Sequence, residues 1–530
     1  MRGISNILLV LILVVAMFLF VFGCGQEEAS VDSPDTEDVT DDSEESIFIV
    51  ARTNDAVNLD AGWAYYDGEI DLIYHMYEGL VRYIDDDLNI GPSLATEWSS
   101  DEEGKVWTFE LREGVKFHDG TEFNSEAVVF TFERILQEDH PYAWMGDWSY
   151  LDYLLGDVIS EVNAIDDYTV EFVLDEVFAP FLTYMGLYSQ FIISPAAAQE
   201  DKDEFYRNPV GTGPYMMEEW RSDEFTSMVA FEGYWGEKPA IDKIIWKVVP
   251  DATTRMMELQ AGEVHAIKTI LPEQLETLTA DPELDVVRVP GANIFLGNIN
   301  HEAEPFDDVR MRKALMHAID MDSLVDSVYE GLGTRAVNSM PSTIFGYNDD
   351  IVPYAYDPEM AMELMAEAGY ADGYDLDINV FSGARVYIGR PVDVAEIIAA
   401  DLRAVGVNAN VIVNEWAAHS EIISSYQHQL AFTGWYDVAH PNNFLRALVL
   451  EGMENNYKPD ILWELANKAN ATYDRDLQEE YYREMQQIIH DDAAILHIAH
   501  SDYTAAVTGE VDGFVVDPIG NVILLEAAFR

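Results

Sequence analysis

Basic residues are scarce in this chain. Its 530 residues hold 29 Lys+Arg against 98 Asp+Glu, a formal net charge of −69. So few cations cannot track a phosphate backbone, which excludes a nucleic-acid binder. The single cysteine excludes a disulfide framework and a cysteine-built zinc site within the chain. After the first two dozen residues no apolar run is long enough to span a bilayer. Catalytic signatures are missing as well: there is no G-x-S-x-G elbow, no H-E-x-x-H and no phosphate-binding G-x-x-x-x-G-K-[ST]. His301-Glu302 lacks a second histidine one helical turn on, and Pro214 after Gly211-Thr212-Gly213 obstructs a phosphate-cradling helix. The 12 histidines show no metal-ligand spacing. The expectation is a protein with no catalytic residue, no metal and no cofactor.

What is present is a folded globule. Apolar residues make up 49% and aromatics 12%, too many for an acidic disordered tail, and the length suits two to four domains. Self-repulsion at this charge density opposes compaction in dilute buffer. At molar salt the Debye length falls to about 3 Å and the penalty fades. The scarcity of lysine along the whole chain favours a high-salt setting over an ordinary acidic protein.

The N-terminus reads as an address. Arg2 precedes an uncharged apolar run from Ile7 to Gly23, and the sequence turns polar directly after Cys24. Residues 1–23 are read as a secretory signal, with an uncleaved anchor as the alternative. Residues 24–46 are acidic and nearly devoid of apolar side chains, which suits an extended tether. The globule begins at Ile47-Phe48-Ile49-Val50, a strand-like run. Trp107, Phe109 and Leu111 alternate with polar residues, predicting a strand that runs into a turn at His118-Asp119-Gly120. Met311, Ala314, Leu315, Ala318 and Ile319 recur at helical spacing after an acidic cap. A second helix is predicted over Val394–Leu402, capped by Asp393 and stopped by Gly406, with a strand at 407–413 after it. This alternation predicts an α/β architecture.

Several stretches, kept in order along the chain, resemble the large solute-binding proteins of peptide- and nickel-type ABC transporters. They are Tyr77-Glu78-Gly79-Leu80-Val81, Pro92-Ser93-Leu94-Ala95, the segment from Trp107 through His118-Asp119-Gly120, and Asn208-Pro209-Val210-Gly211-Thr212-Gly213-Pro214-Tyr215. Pro305-Phe306-Asp307-Asp308-Val309-Arg310 with Arg312-Lys313-Ala314-Leu315, and Gly434-Trp435 followed by Pro441 to Leu445, complete the set. Cys24 after the apolar run also resembles a lipobox cysteine, although Phe22 departs from that pattern. The resemblance implies a two-lobed periplasmic-binding-protein fold of class II type, in its large peptide-binding variant. Its first lobe is expected to be discontinuous, formed by 47–290 plus 496–530, and its second by 291–495. It further implies an extracytoplasmic monomer, anchored by a lipid on Cys24, that captures short peptides for an ABC permease. A nickel chelate, an oligosaccharide or another solute in the same fold is the alternative, with a membrane-coupled ligand sensor or a secreted hydrolase further off.

A buried zwitterion needs an opposite charge at each end. By resemblance Arg385 takes the ligand carboxylate, as a planar fork suits, the alternative being a structural ion pair. Trp416 of Glu415-Trp416 walls a pocket or simply packs in the core. Trp435 and Tyr436 flank the strand edge that an extended peptide would join. Asp437 is the candidate for the amine, although the family places two residues between this Trp and the Asp and here only Tyr436 intervenes. His440, where the family has an acid before Pro441, is read as a surface histidine, and His118 as part of a structural turn.

Overall fold

The computed structural model describes residues 45–530 except 65–66, 85–88, 138, 144–148, 202, 437–439 and 451–454. The signal segment, Cys24, the acidic segment up to residue 44 and Asp437 lie outside the described residues. Ser46, placed by composition in the tether, is tied to the globule: its backbone N–H and hydroxyl both donate to Asp242, at 3.0 and 2.8 Å.

Twelve strands form one sheet. Its path runs Asn408–Asn414, Asp375–Phe381, Leu430–Tyr436, Asn293–Ile299, Ile495–Thr508, Ala266–Lys268, Ile47–Arg52, Lys243–Val248, Phe225–Ala230, Tyr215–Arg221. Leu284–Pro290 and Gly333–Arg335 pair with Ile495–Thr508 off this path. A separate four-stranded antiparallel sheet holds Ala95–Ser100, Val106–Leu111, Thr169–Leu174 and Ile159–Asp166.

The cores divide where the chain crosses between halves of the large sheet. One core gathers Phe48, Phe109, Phe172, Trp246 and Val522; a second holds Phe295, Leu315, Ile378, Ile398 and Phe432; a third lies against Ile294, Phe444, Leu462 and Tyr482. The chain passes from the first core to the others between Leu284–Pro290 and Asn293–Ile299. It returns along Ile495–Thr508, whose first half pairs with Asn293–Ile299 and whose second half pairs with Leu284–Pro290 and Ala266–Lys268. Arg288 ties the two crossings together by pairing with Asp502 and donating to the Gly331 carbonyl. The architecture is α/β in two lobes.

The predicted elements form, with one correction. Asp308 caps helix Val309–Ala318 through the Arg310 N–H. Helix Pro391–Ala404, however, has Arg390 at its N-cap position with no side-chain capping bond, and Asp393 sits in its first turn. Pro391 suits the first helical position, having no N–H to leave unpaired, so the helix starts two residues before the acid. Among the described residues no helix is long and apolar enough to cross a membrane.

Candidate functional site

Three parallel strands set the site. Asp375–Phe381 runs parallel to Asn408–Asn414 on one side and to Leu430–Tyr436 on the other. Their carboxyl ends therefore share one edge, the edge at which open α/β sheets hold ligands. Arg385 lies four residues beyond the first strand, Trp416 two residues beyond the second, and Trp435 and Tyr436 end the third. Asn293, at the crossing from the first lobe, pairs with Tyr436, so this edge adjoins the other lobe.

The Arg385 guanidinium lies 3.9 Å from the centroid of the Trp416 ring. Trp416 in turn meets Phe381 edge-on, with centroids 5.3 Å apart. Both Arg385 and Trp416 are half-buried, and no carboxylate of the described residues pairs with Arg385. The next residue, Val386, packs against the cores of both lobes. Arg385 thus stands at the lobe boundary. It makes no ion pair among the described residues, and Trp416, half-buried, packs against the second core while its ring carries the cation.

Gly434 is required here. A Cβ on it would come within 2.5 Å of both the Ile294 carbonyl and the Tyr387 ring. Trp435 Nε1 donates to Asn443 Oδ1 at 2.9 Å, which fixes the indole. Along Leu430–Tyr436 the strand Asp375–Phe381 pairs only at Leu430 and Ala431. Residues beyond Ala431 keep Asn293–Ile299 on one side and have no strand on the other among the described residues. Tyr436 lies close enough to Tyr188 of the first lobe to raise that hydroxyl's pKa, after burial, which is the larger cause.

Two further patches of contact between the lobes stand out among the described residues. Asn442 Nδ2 donates to Tyr184 Oη at 2.9 Å, Asn443 Nδ2 lies 3.5 Å from Tyr150 Oη, and the Arg446 guanidinium sits 5.0 Å over the Tyr153 ring. In the second patch the Ala179 N–H donates to the Asn470 carbonyl at 2.8 Å and Tyr473 Oη to the Gly104 carbonyl at 3.2 Å. Gly104 takes φ +73°, and a Cβ there would lie 2.7 Å from the Tyr473 ring. None of these contacts was foreseen from sequence. Their only signal was the unassigned Pro441 to Leu445 motif.

Other motifs prove to be scaffolding. Glu78 accepts from Thr212 Oγ1, Tyr234 Oη and Trp235 Nε1 at 2.9, 3.0 and 2.7 Å, locking two of the quoted stretches together. Burial lifts its carboxyl to about 7 against these donors. Gly211 and Gly213 let the chain pass against the Met76 carbonyl, which a Cβ would meet at 2.2 and 2.8 Å. His118 forms part of a turn, its Nε2 3.0 Å from the Gly213 carbonyl. His440 corrects the expectation of a surface histidine: it is buried, caps Pro441–Leu445 by accepting from the Asn442 N–H, and is pushed down to about 3 by burial and by Arg475. Among the described residues no cluster of His, Cys, Asp and Glu could hold a metal.

Comparison with known proteins agrees with this geometry. The Escherichia coli (strain K12) dipeptide-binding protein is 35% identical over 469 residues, covering 84% of this chain and 87% of that one. The Haemophilus influenzae heme-binding protein A is 33% identical over 467 residues, covering 84% and 85%. The periplasmic binding protein DppA of Helicobacter pylori, solved with the peptide STSA, superposes with a TM-score of 0.81 at 30% identity, over 92% of this chain and 98% of that one. Such proteins bind solutes for ABC transporters in a two-lobed fold and are not enzymes. The model of the bacterial extracellular solute-binding proteins, family 5 Middle, matches residues 89–456, and the chain belongs to that family.

Proposed function

We propose that the protein captures short peptides outside the cytoplasm and delivers them to an ABC permease, held at the membrane by a lipid on Cys24 and acting as a monomer. The first lobe comprises 47–290 with 496–530 and the second 291–495, and the ligand is enclosed between them. A high-salt environment accounts for the acidic surface.

One observation carries the reading. In a chain with 98 acids, Arg385 has no carboxylate among the described residues and stacks on Trp416 at the carboxyl edge of three parallel strands. A cation left available at a lobe boundary suits a carboxylate that arrives from outside, and its fork can grip it bidentately. The unpaired edge beyond Ala431 suits an extended backbone. The relatives named for dipeptides and the neighbour holding STSA support the same class. Asp437 takes the amine in this reading.

The test is calorimetric titration at high salt with the dipeptide Ala-Phe and with hemin, beside mass spectrometry of ligands carried through purification. Arg385→Ala is expected to weaken Ala-Phe by about 1.5–3 kcal/mol, the worth of a charge-assisted hydrogen bond. Hemin also carries carboxylates. Binding of hemin without Ala-Phe, or a carried sugar or metal chelate, would replace the peptide assignment.

A further inference from the structure

The contacts at Pro441–Leu445 differ in kind from the rest of this protein's surface chemistry. Asn442 and Asn443 are polar yet almost fully buried, at 4% and 2% exposure. Their partners Tyr184 and Tyr150 belong to the first lobe's core and are just as buried. Groups buried in this way are normally hydrogen-bonded; here the amide nitrogens of Asn442 and Asn443 find their partners across the gap. The two amide-to-phenol contacts join neutral groups, and the Arg446 cation beside them stacks on the Tyr153 ring. In a protein of net charge −69 that has consequences, since a charged clasp weakens as salt rises, whereas amide-to-phenol hydrogen bonds are not screened.

The strength is also of the right order. When the lobes part, water replaces each partner, so each bond contributes only about 0.5–1.5 kcal/mol net. The Arg446–Tyr153 stack adds about 0.5–1 kcal/mol. The sum is comparable with the few kcal/mol that separate two populated conformations. An apolar patch of the same area would hold the lobes shut with or without a guest. The clasp is also wired to the candidate site, because Asn443 Oδ1 accepts from the Nε1 of Trp435.

We propose that Asn442 and Asn443 are positioning residues that form a neutral closure latch, docking on the Tyr184 and Tyr150 hydroxyls of the opposite lobe and coupling lobe closure to ligand retention. The proposal rests on the binding reading above but is tested separately from it. The latch contributes equally to any guest, so it sets affinity and leaves preference among guests unchanged.

The test uses the full-length protein and a double variant, Tyr184→Phe with Tyr150→Phe, which removes two acceptor oxygens and no bulk. Tyr83→Phe serves as control, because the Tyr83 hydroxyl donates to the Thr183 carbonyl within the first lobe, at 2.6 Å. Amide hydrogen exchange of the ligand-free protein at high salt is expected to quicken over 441–446 roughly tenfold in the double variant, and not in the control. Affinity for Ala-Phe is expected to fall by a similar factor. Unchanged exchange over 441–446, or acceleration spread evenly through the first lobe's strands, overturns the latch. The exchange arm needs no ligand. Failure of the unaltered protein to bind Ala-Phe therefore refutes the peptide reading and leaves the latch to be decided by exchange.

Discussion

Two cations of this protein, Lys268 and Arg385, are both poor in water and treated in opposite ways. Lys268 lies under the first lobe, where its Nζ contacts both carboxylate oxygens of Asp71 at 3.0 and 2.9 Å. Asp71 also accepts from the Val522 N–H, and His75 Nε2 accepts from the Leu524 N–H, so the C-terminal segment is tied to the same knot. Arg385, at the lobe boundary, has a tryptophan face and no acid among the described residues. With acids so abundant, the missing partner is informative. The structural cation is neutralised from within the chain, whereas Arg385 has only a ring face beside it, which is what the proposed binding role calls for.

Acidification is the broadest way to break this contrast, because it creates cations in buried sites that disfavour charge. Burial holds His75, His118, His301, His428 and His500 down to about 4, and His440 and His497 to about 3. Unfolded histidines take protons near 6.5, so the unfolded chain binds more protons as pH drops, and the stability present above 6.5 is lost as pH falls through about 4. Glu78 and Asp517, raised by burial to about 7 and about 6, act in the opposite sense, favouring the fold as they protonate. Seven groups outweigh two. The urea midpoint at constant high salt is expected to fall steeply between pH 6.5 and 5; a flat profile would contradict it.

A narrower break removes one member of the structural pair. Asp71→Ala removes both carboxylate contacts of buried Lys268 and the acceptor of the Val522 N–H, and is expected to cost about 3–5 kcal/mol in urea denaturation. The same measurement on Arg385→Ala should change by no more than about 1 kcal/mol, since the Trp416 face is lost but no ion pair is. Equal losses in the two variants would erase the distinction drawn here. The smallest effect is expected from Trp416→Leu, which removes the face under Arg385: stability barely moves, and dipeptide affinity falls by about 0.5–2 kcal/mol in titration calorimetry.

Much of the fold was legible because it is written in local patterns. The alternation at Trp107, Phe109 and Leu111 becomes a strand, and the helical spacing from Met311 to Ala318 becomes a helix with its acidic cap. The cap of the next helix was misplaced because Asp393 looked like a better N-cap than Arg390, while Pro391 decides the start by steric fit. Arg385 and Trp416 stood out by composition and resemblance, but their stacking joins a loop to a helix start 31 residues on and depends on two parallel strands in register. The burial of His440 was invisible for the same reason: Tyr184, Phe345 and Tyr482 enclose it from distant segments. Hydrogen bonds such as Asn442 to Tyr184 bridge 258 positions and leave no periodic trace.

Strand Ile495–Thr508 carries a last consequence, for how the molecule comes into being. It completes the hydrogen-bonded ladder of both halves, meeting Asn293–Ile299 with one end and Ala266–Lys268 with the other. Nearly the whole polypeptide must therefore emerge before either half can finish assembling, and each half waits on the same late segment. A chain built this way is slow to become native by construction, because its completing pairings join distant positions.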